Sequence, residues 1–195
     1  MPPTVDVNSP LAKQTIQFFK DHHTVFDPTL SVMEMFLHPA DTPFASFEPG
    51  AAKVPRELYA PINNTGVSAT RAASAKISLD LFSNIVGVLH KEGLTIVAGT
   101  DQVVPGHSLR REIELYVKAG FTPMEAIQAA TIVPARVMKQ DKDSGTVEIG
   151  KFADMILVDG NPLENISNLR NTKFVVTNGR MFDCAQLWQS VGFKP

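Results

Sequence analysis

The chain has 195 residues, 44% hydrophobic and 19% charged, with a formal net charge of -2, a balance that suits a globular domain large enough to bury a core. No basic run points to nucleic acid, and no apolar stretch approaches the roughly 20 residues that span a bilayer, so neither nucleic acid nor membrane is expected as a partner. The single cysteine, Cys184, excludes an internal disulfide framework.

Met1-Pro2-Pro3-Thr4-Val5-Asp6 has neither a basic leader nor an apolar core, so no signal peptide is expected there and a cytoplasmic location is the default. A helix is predicted over Leu11 to His22, where Leu11, Ile16, Phe18 and Phe19 recur among polar residues, Ser9 caps and Pro10 takes the first helical position. His22 and His23 are adjacent, so they face different sides and cannot form a ligand pair; a helix C-terminus suits them. Thr24-Val25-Phe26 reads as a short strand ended by Asp27-Pro28, where proline removes a ladder donor.

From His38 to Gly66 the chain is rich in Pro, Ala and Asn, with one short helical possibility at Val54 to Tyr59. A loop of this length is expected to lie over the functional side of the fold as a lid. Ser68 to Lys91 returns to helical spacing, with a predicted buried stripe through Ala69, Ala73, Ile77, Leu81, Ile85 and Val88, and Gly93 stopping it.

Leu94-Thr95-Ile96-Val97 then forms a strand that stops at Ala98-Gly99-Thr100-Asp101. A β-branched strand that ends in a small-residue turn and delivers one carboxylate is how a parallel α/β enzyme presents a catalytic group. An aspartate that merely caps the turn is the structural alternative. Gln102 to His107 is a loop, and Leu109 to Lys118 a helix closed by Gly120, with Arg110, Arg111, Glu112 and Glu114 as its solvated, ion-paired face.

Thr122-Pro123-Met124-Glu125 carries a capping box, and Pro134 opens a further short helix toward Lys139. From Gly145 the texture changes to short strands: Thr146 to Ile149, Met155 to Val158, Lys173 to Thr177, and Arg180 to Phe182 after the hairpin signal Asn178-Gly179. Asp154 is expected to bond backbone amides in a turn, and Trp188, Val191 and Phe193 to anchor the terminus. The lack of a Gly-x-Ser-x-Gly elbow argues against a metal-free α/β hydrolase.

The order of Ala98-Gly99-Thr100-Asp101, the run Gly120 to Thr131, Pro134-Ala135, Gly145, Gly150-Lys151-Phe152-Ala153-Asp154 and Asp159-Gly160-Asn161-Pro162 resembles the C-terminal part of metal-dependent amidohydrolases, closest to the imidazolonepropionase-like branch. Pro28-Thr29-Leu30 also matches the end of that family's penultimate barrel strand. The resemblance implies an α/β chain: a partial TIM (β/α)8 barrel, its last two strands and their helices in residues 1–140 with the 38–66 loop insertion, followed by part of a small β-sandwich domain in residues 141–195. It implies hydrolysis of a non-peptide or dipeptide-like carbon–nitrogen bond in a small-molecule amide or cyclic amide. The water is activated by one or two divalent metal ions, usually zinc.

On the same resemblance Asp101 is the catalytic proton shuttle and a metal ligand; by position, Thr100 is expected to hold its carboxylate through a hydrogen bond, and His107, six residues on, either touches substrate or packs as a loop residue against the start of the Ser108 helix. The family's remaining ligands, a His-x-His pair on the first strand, a lysine or glutamate on a middle strand and two later histidines, have no counterpart in this sequence. A complete barrel takes roughly 250 residues. The chain therefore reads as a C-terminal fragment, inactive in isolation. A rival reading from another class is a non-catalytic binding or assembly module that keeps part of the fold and pairs with another chain, a homo-oligomer included, through open strand edges.

Overall fold

The computed structural model describes residues 6–195, so the leader reading of Met1 to Val5 lies outside it. Helix α1, Pro10–Asp21, forms as its cap signals require: Ser9 Oγ accepts from the Ala12 amide at 3.2 Å and Pro10 stands at the first turn. Strands β1, Val25–Phe26, and β2, Thr95–Ile96, lie side by side in parallel, Val25 opposite Thr95 and Phe26 opposite Ile96. The Val97 amide extends the pairing by donating to Phe26 O at 2.9 Å. Parallel neighbours require a long crossover, which here carries α2, Leu30–Leu37, α3, Arg56–Asn63, and α4, Ala69–Lys91.

After β2 come α5, Ser108–Ala119, α6, Pro123–Ala129, and α7, Ile132–Val137. Helix α5 ends where Gly120 takes φ 111°, a left-handed cap that a side chain would strain. The predicted capping box of α6 is present, with Thr122 and Glu125 exchanging backbone and side-chain hydrogen bonds at 2.8 and 3.3 Å. Strands β3, Met155–Val158, β4, Thr172–Thr177, and β5, Arg180–Asp183, form an antiparallel sheet in that order. Asn178 and Gly179, at φ 48° and 71°, turn the hairpin. Helix α8, Cys184–Ser190, follows, with Asp183 as its cap.

One core links β1 and the central helices to the 3-10 turn that precedes β4. Leu30, Val86, Ile96, Ile113, Tyr116, Phe121 and Ala126 pack with Ile166 and Leu169 of the 3-10 helix Ile166–Asn171. Tyr116 is fully buried and its hydroxyl donates to Val97 O at 2.7 Å, fixing α5 against the end of β2.

Five expectations are corrected. Helix α2 escapes sequence reading because its own cap position, Thr29, makes no side-chain cap bond; instead the Glu112 carboxylate accepts from the Leu30 and Ser31 amides at 2.8 and 2.7 Å. The 38–66 segment is helical and packed rather than a loop: 3-10 turns Phe44–Ser46 and Pro49–Ala52 precede α3, and Phe44, Ala51 and Val54 are buried with Val103 and Val104. Thr146 to Ile149 forms no strand, and Val147 and Ile149 face solvent. Helix α4 buries Ala75, Val86 and Gly87 where it crosses α2 and α5, leaving Ala73 and Ile77 of the predicted stripe exposed. By length and composition α4 is also apolar enough to cross a bilayer, contrary to the expectation that no stretch approaches this.

Candidate functional site

Parallel strands end on the same side, and each of these two releases a carboxylate there: Asp27 directly after β1 and Asp101 beyond β2. Asp101 and Gln102 occupy consecutive left-handed conformations, φ 44° and 53°, without a glycine between them. Such residues store strain of order 1–3 kcal/mol each, although aspartate tolerates the region better than most, and they cluster at functional sites. The Asp101 side chain is exposed. Thr100 does not hold it, since its Oγ1 accepts from the Gln102 amide at 3.3 Å and so pins the turn instead.

Asp27 was legible only as a strand stop, yet it stands against the same turn. A Cβ built on Gly99 would collide with its carboxylate, so the glycine supplies room rather than an unusual φ. Burial raises the Asp27 carboxyl above the ordinary range, the Gly99 backbone amide draws it back, and the charge of Asp101 raises it again. A pair in which one carboxyl keeps its proton more readily than usual is suited to proton transfer. The signal that could have found Asp27 is its position at the end of the first strand of a parallel pair. Gly99→Ala is expected to lower stability by about 1–3 kcal/mol in urea unfolding, because the methyl group must displace that carboxylate; Asp27→Ala in the same chain should recover most of the loss.

His107 lies elsewhere, packed between Gly50 and the Trp188 ring, whose centroid is 4.7 Å away and nearly parallel. It is 6% exposed and its Nε2 has no hydrogen-bond partner among the described residues. Burial, then the charges of Arg110, Lys53 and Arg170, hold its pKa down at about 4. The fold therefore favours neutral imidazole, and protonation favours the unfolded chain. The sign follows: this contribution is complete above the ordinary value of about 6.5 and is lost as pH falls from there toward 4, by up to about 3 kcal/mol. Urea midpoints measured across that window should fall steadily in the native chain and less in His107→Gln.

Three further histidines make contacts within the fold. His38 is buried with Nδ1 2.6 Å from Met35 O, His90 stacks on Phe121 at 3.7 Å, and His22 Nδ1 lies 2.7 Å from Phe18 O.

The expected solvated face of α5 is instead its buried one, with Arg111, Glu112 and Glu114 at 9%, 0% and 7% exposure. Arg111 forms a two-pronged pair with Glu34, 2.7 and 2.6 Å, and reaches Glu114 at 3.1 Å. Arg170 continues the chain of charges from Glu114, at 2.7 Å, to Glu48, at 2.6 Å. Burial pushes the Glu114 carboxyl up, but its hydrogen bonds and charge pairing with Arg170, then Arg111, outweigh that and bring it below the usual range.

Among the described residues no group of three or more His, Cys, Asp or Glu is arranged to hold a metal ion. Zinc takes three or four protein ligands, so the two strand-end carboxylates do not fit it unaided.

A family model described as the amidohydrolase family matches residues 36–182. Ochratoxinase of Aspergillus niger is 38% identical over 97 residues, which is 47% of this chain and 20% of that protein. Imidazolonepropionase of Geobacillus sp. (strain WCH70) is 31% identical over 120 residues, 57% of this chain and 26% of the relative. Among solved structures, a Xaa-Pro dipeptidase with bound methionine in its active site superposes with a TM-score of 0.62 at 27% identity, covering 87% of this chain and 37% of that one. Aspergillus niger ochratoxinase gives 0.60 at 26% identity, with 88% and 35% covered. The chain thus matches only a fifth to a quarter of the length of these curated relatives.

Proposed function

The chain belongs to the amidohydrolase family, and from that premise we propose that it is the C-terminal part of a hydrolase cleaving carbon–nitrogen bonds in small amides. The observation that carries the reading is the left-handed turn at Asp101, which holds an exposed carboxylate past the end of β2 and within electrostatic reach of Asp27. In this reading Asp101 takes the proton of the attacking water and delivers it to the departing nitrogen. Asp27, whose carboxyl burial raises above its ordinary range, stands beside it as the second carboxyl of the site. Strands β1 and β2 are the closing pair of a (β/α)8 barrel in residues 1–140, and β3 to β5 part of a small β-sandwich in residues 141–195. The similarity to a Xaa-Pro dipeptidase supports a dipeptide-like substrate.

Zinc, the family's usual metal, would need ligands from outside these residues, so this chain alone should bind it poorly and turn over little. The test compares this chain with a version extended upstream, measuring zinc content and hydrolysis of Xaa-Pro dipeptides and N-acyl amino acids. Stoichiometric zinc and turnover are expected only in the longer form; tight stoichiometric zinc in the short one overturns the fragment reading.

The exposed apolar residues Ile156 and Met181 on the antiparallel sheet favour a second reading, a non-catalytic assembly module that forms homo-oligomers. It predicts oligomers by light scattering and indifference of every activity to Asp101→Asn.

A further inference from the structure

A cleft of about 480 Å³ opens between the Pro49–Ala52 turn, the start of α5, β4 and α8, within the size range of small-molecule sites. Its charges do not balance. Arg170 is matched by Glu48 and Glu114, but Arg110 donates only to neutral acceptors: Leu169 O at 3.1 Å, Gly106 O at 2.7 Å and Thr172 Oγ1 at 3.4 Å. Lys53 has no carboxylate partner among the described residues, and Lys173 reaches one only at 3.9 Å, on the exposed Asp159. Asp183, the one acidic side chain in the lining, is engaged in capping α8 through the Gln186 amide at 3.0 Å.

A second observation points to a ligand independently. His107 lines this cleft, is 94% buried by its 6% exposure, and leaves Nε2 without a hydrogen-bond partner. Buried polar atoms in native folds are nearly always satisfied, so such an orphan calls for a partner. The rest of the wall is largely apolar, with Trp188 and Phe174 contributing aromatic surface.

We propose that this cleft binds a small organic carboxylate, its charged end held by Arg110 between Lys53 and Lys173, with His107 Nε2 as a further donor, and its apolar body against Trp188 and Phe174. An arginine with unused N–H groups and an uncompensated charge matches a carboxylate in both geometry and sign. The aromatic wall selects a hydrocarbon-bearing acid over a bare inorganic anion. This inference goes beyond the hydrolase reading and does not depend on Asp101.

Trp188 is the only tryptophan in the chain, so its fluorescence reports on the cleft directly. Titration with cyclohexanecarboxylate should give a saturable change, with cyclohexanecarboxamide and inorganic phosphate each about tenfold weaker or more. Arg110→Gln should weaken the carboxylate about tenfold. Lys53→Gln alters an exposed side chain, leaves packing untouched and should weaken it about threefold. The carboxamide titration and the Lys53→Gln variant decide the matter even if Arg110→Gln does not fold. Equal affinity for the carboxamide, equal affinity for phosphate, or unchanged carboxylate binding in a folded Arg110→Gln or in Lys53→Gln overturns the proposal.

Discussion

Asp101→Asn, in a protein that carries this chain together with the rest of the active site, is expected to lower kcat/KM for carbon–nitrogen bond hydrolysis by about 10²- to 10⁴-fold, the usual span for loss of a positioned general acid–base. Asparagine is the informative replacement because it keeps the shape of the side chain and tolerates the left-handed conformation at φ 44°. Alanine would add backbone strain to the chemical loss. The fall should appear in kcat rather than KM, since a proton shuttle acts on the transition state. An Asp101→Asn enzyme with native kcat/KM would remove the carboxylate from the chemistry. Asp27→Asn, which leaves the Asp101 carboxylate in place, should change kcat/KM far less.

Arg170→Met is expected to be the most damaging substitution for stability, at about 3–5 kcal/mol, read from urea unfolding. Its guanidinium binds Glu48 with two bonds, 2.6 and 3.1 Å, and Glu114 with two more, 2.7 and 3.0 Å. Glu48 is 1% exposed and Glu114 7%, so removing the cation strands two carboxylates out of water. Arg111 can still serve Glu114, but Glu48 would keep only the Gly50 amide at 2.7 Å. The loss should be strongly non-additive: Glu48→Gln in the Arg170→Met background removes the stranded charge and should recover part of it. A loss under about 1 kcal/mol would mean that the network is solvated and holds nothing together. The same network explains how the fold is tied. It joins α2 through Glu34, the short helical turns through Glu48, α5 through Arg111 and Glu114, and the C-terminal region through Arg170.

The features legible in the sequence are those written within a few neighbouring residues. Ser9 and Pro10 start α1, Thr122 and Glu125 close a capping box, Gly120 ends α5, and Asn178-Gly179 turns the β4–β5 hairpin, because each satisfies backbone groups three or four positions away. Asp101 was legible for the same reason, as the residue that follows a β-branched strand and a small-residue turn. Asp27 was visible as a strand stop and no more, since its partner Gly99 lies on the neighbouring strand's exit. Helix α2 went unread because its capping group, Glu112, stands 82 positions along the chain.

What the sequence determined alone is thus those elements whose start and stop signals lie within a few residues of them, and the family pattern they carry. Which charges are buried was decided only in three dimensions. Arg-Arg-Glu-Ile-Glu on a helix is the pattern of a solvated face, and it stays one unless counter-charges arrive from elsewhere; here Glu34 comes from 77 positions away from Arg111, and Glu48 from 122 positions away from Arg170. A charge leaves water only where the opposite charge is already held within hydrogen-bond distance, and that meeting depends on how the helices pack, which the spacing of residues along the chain does not record.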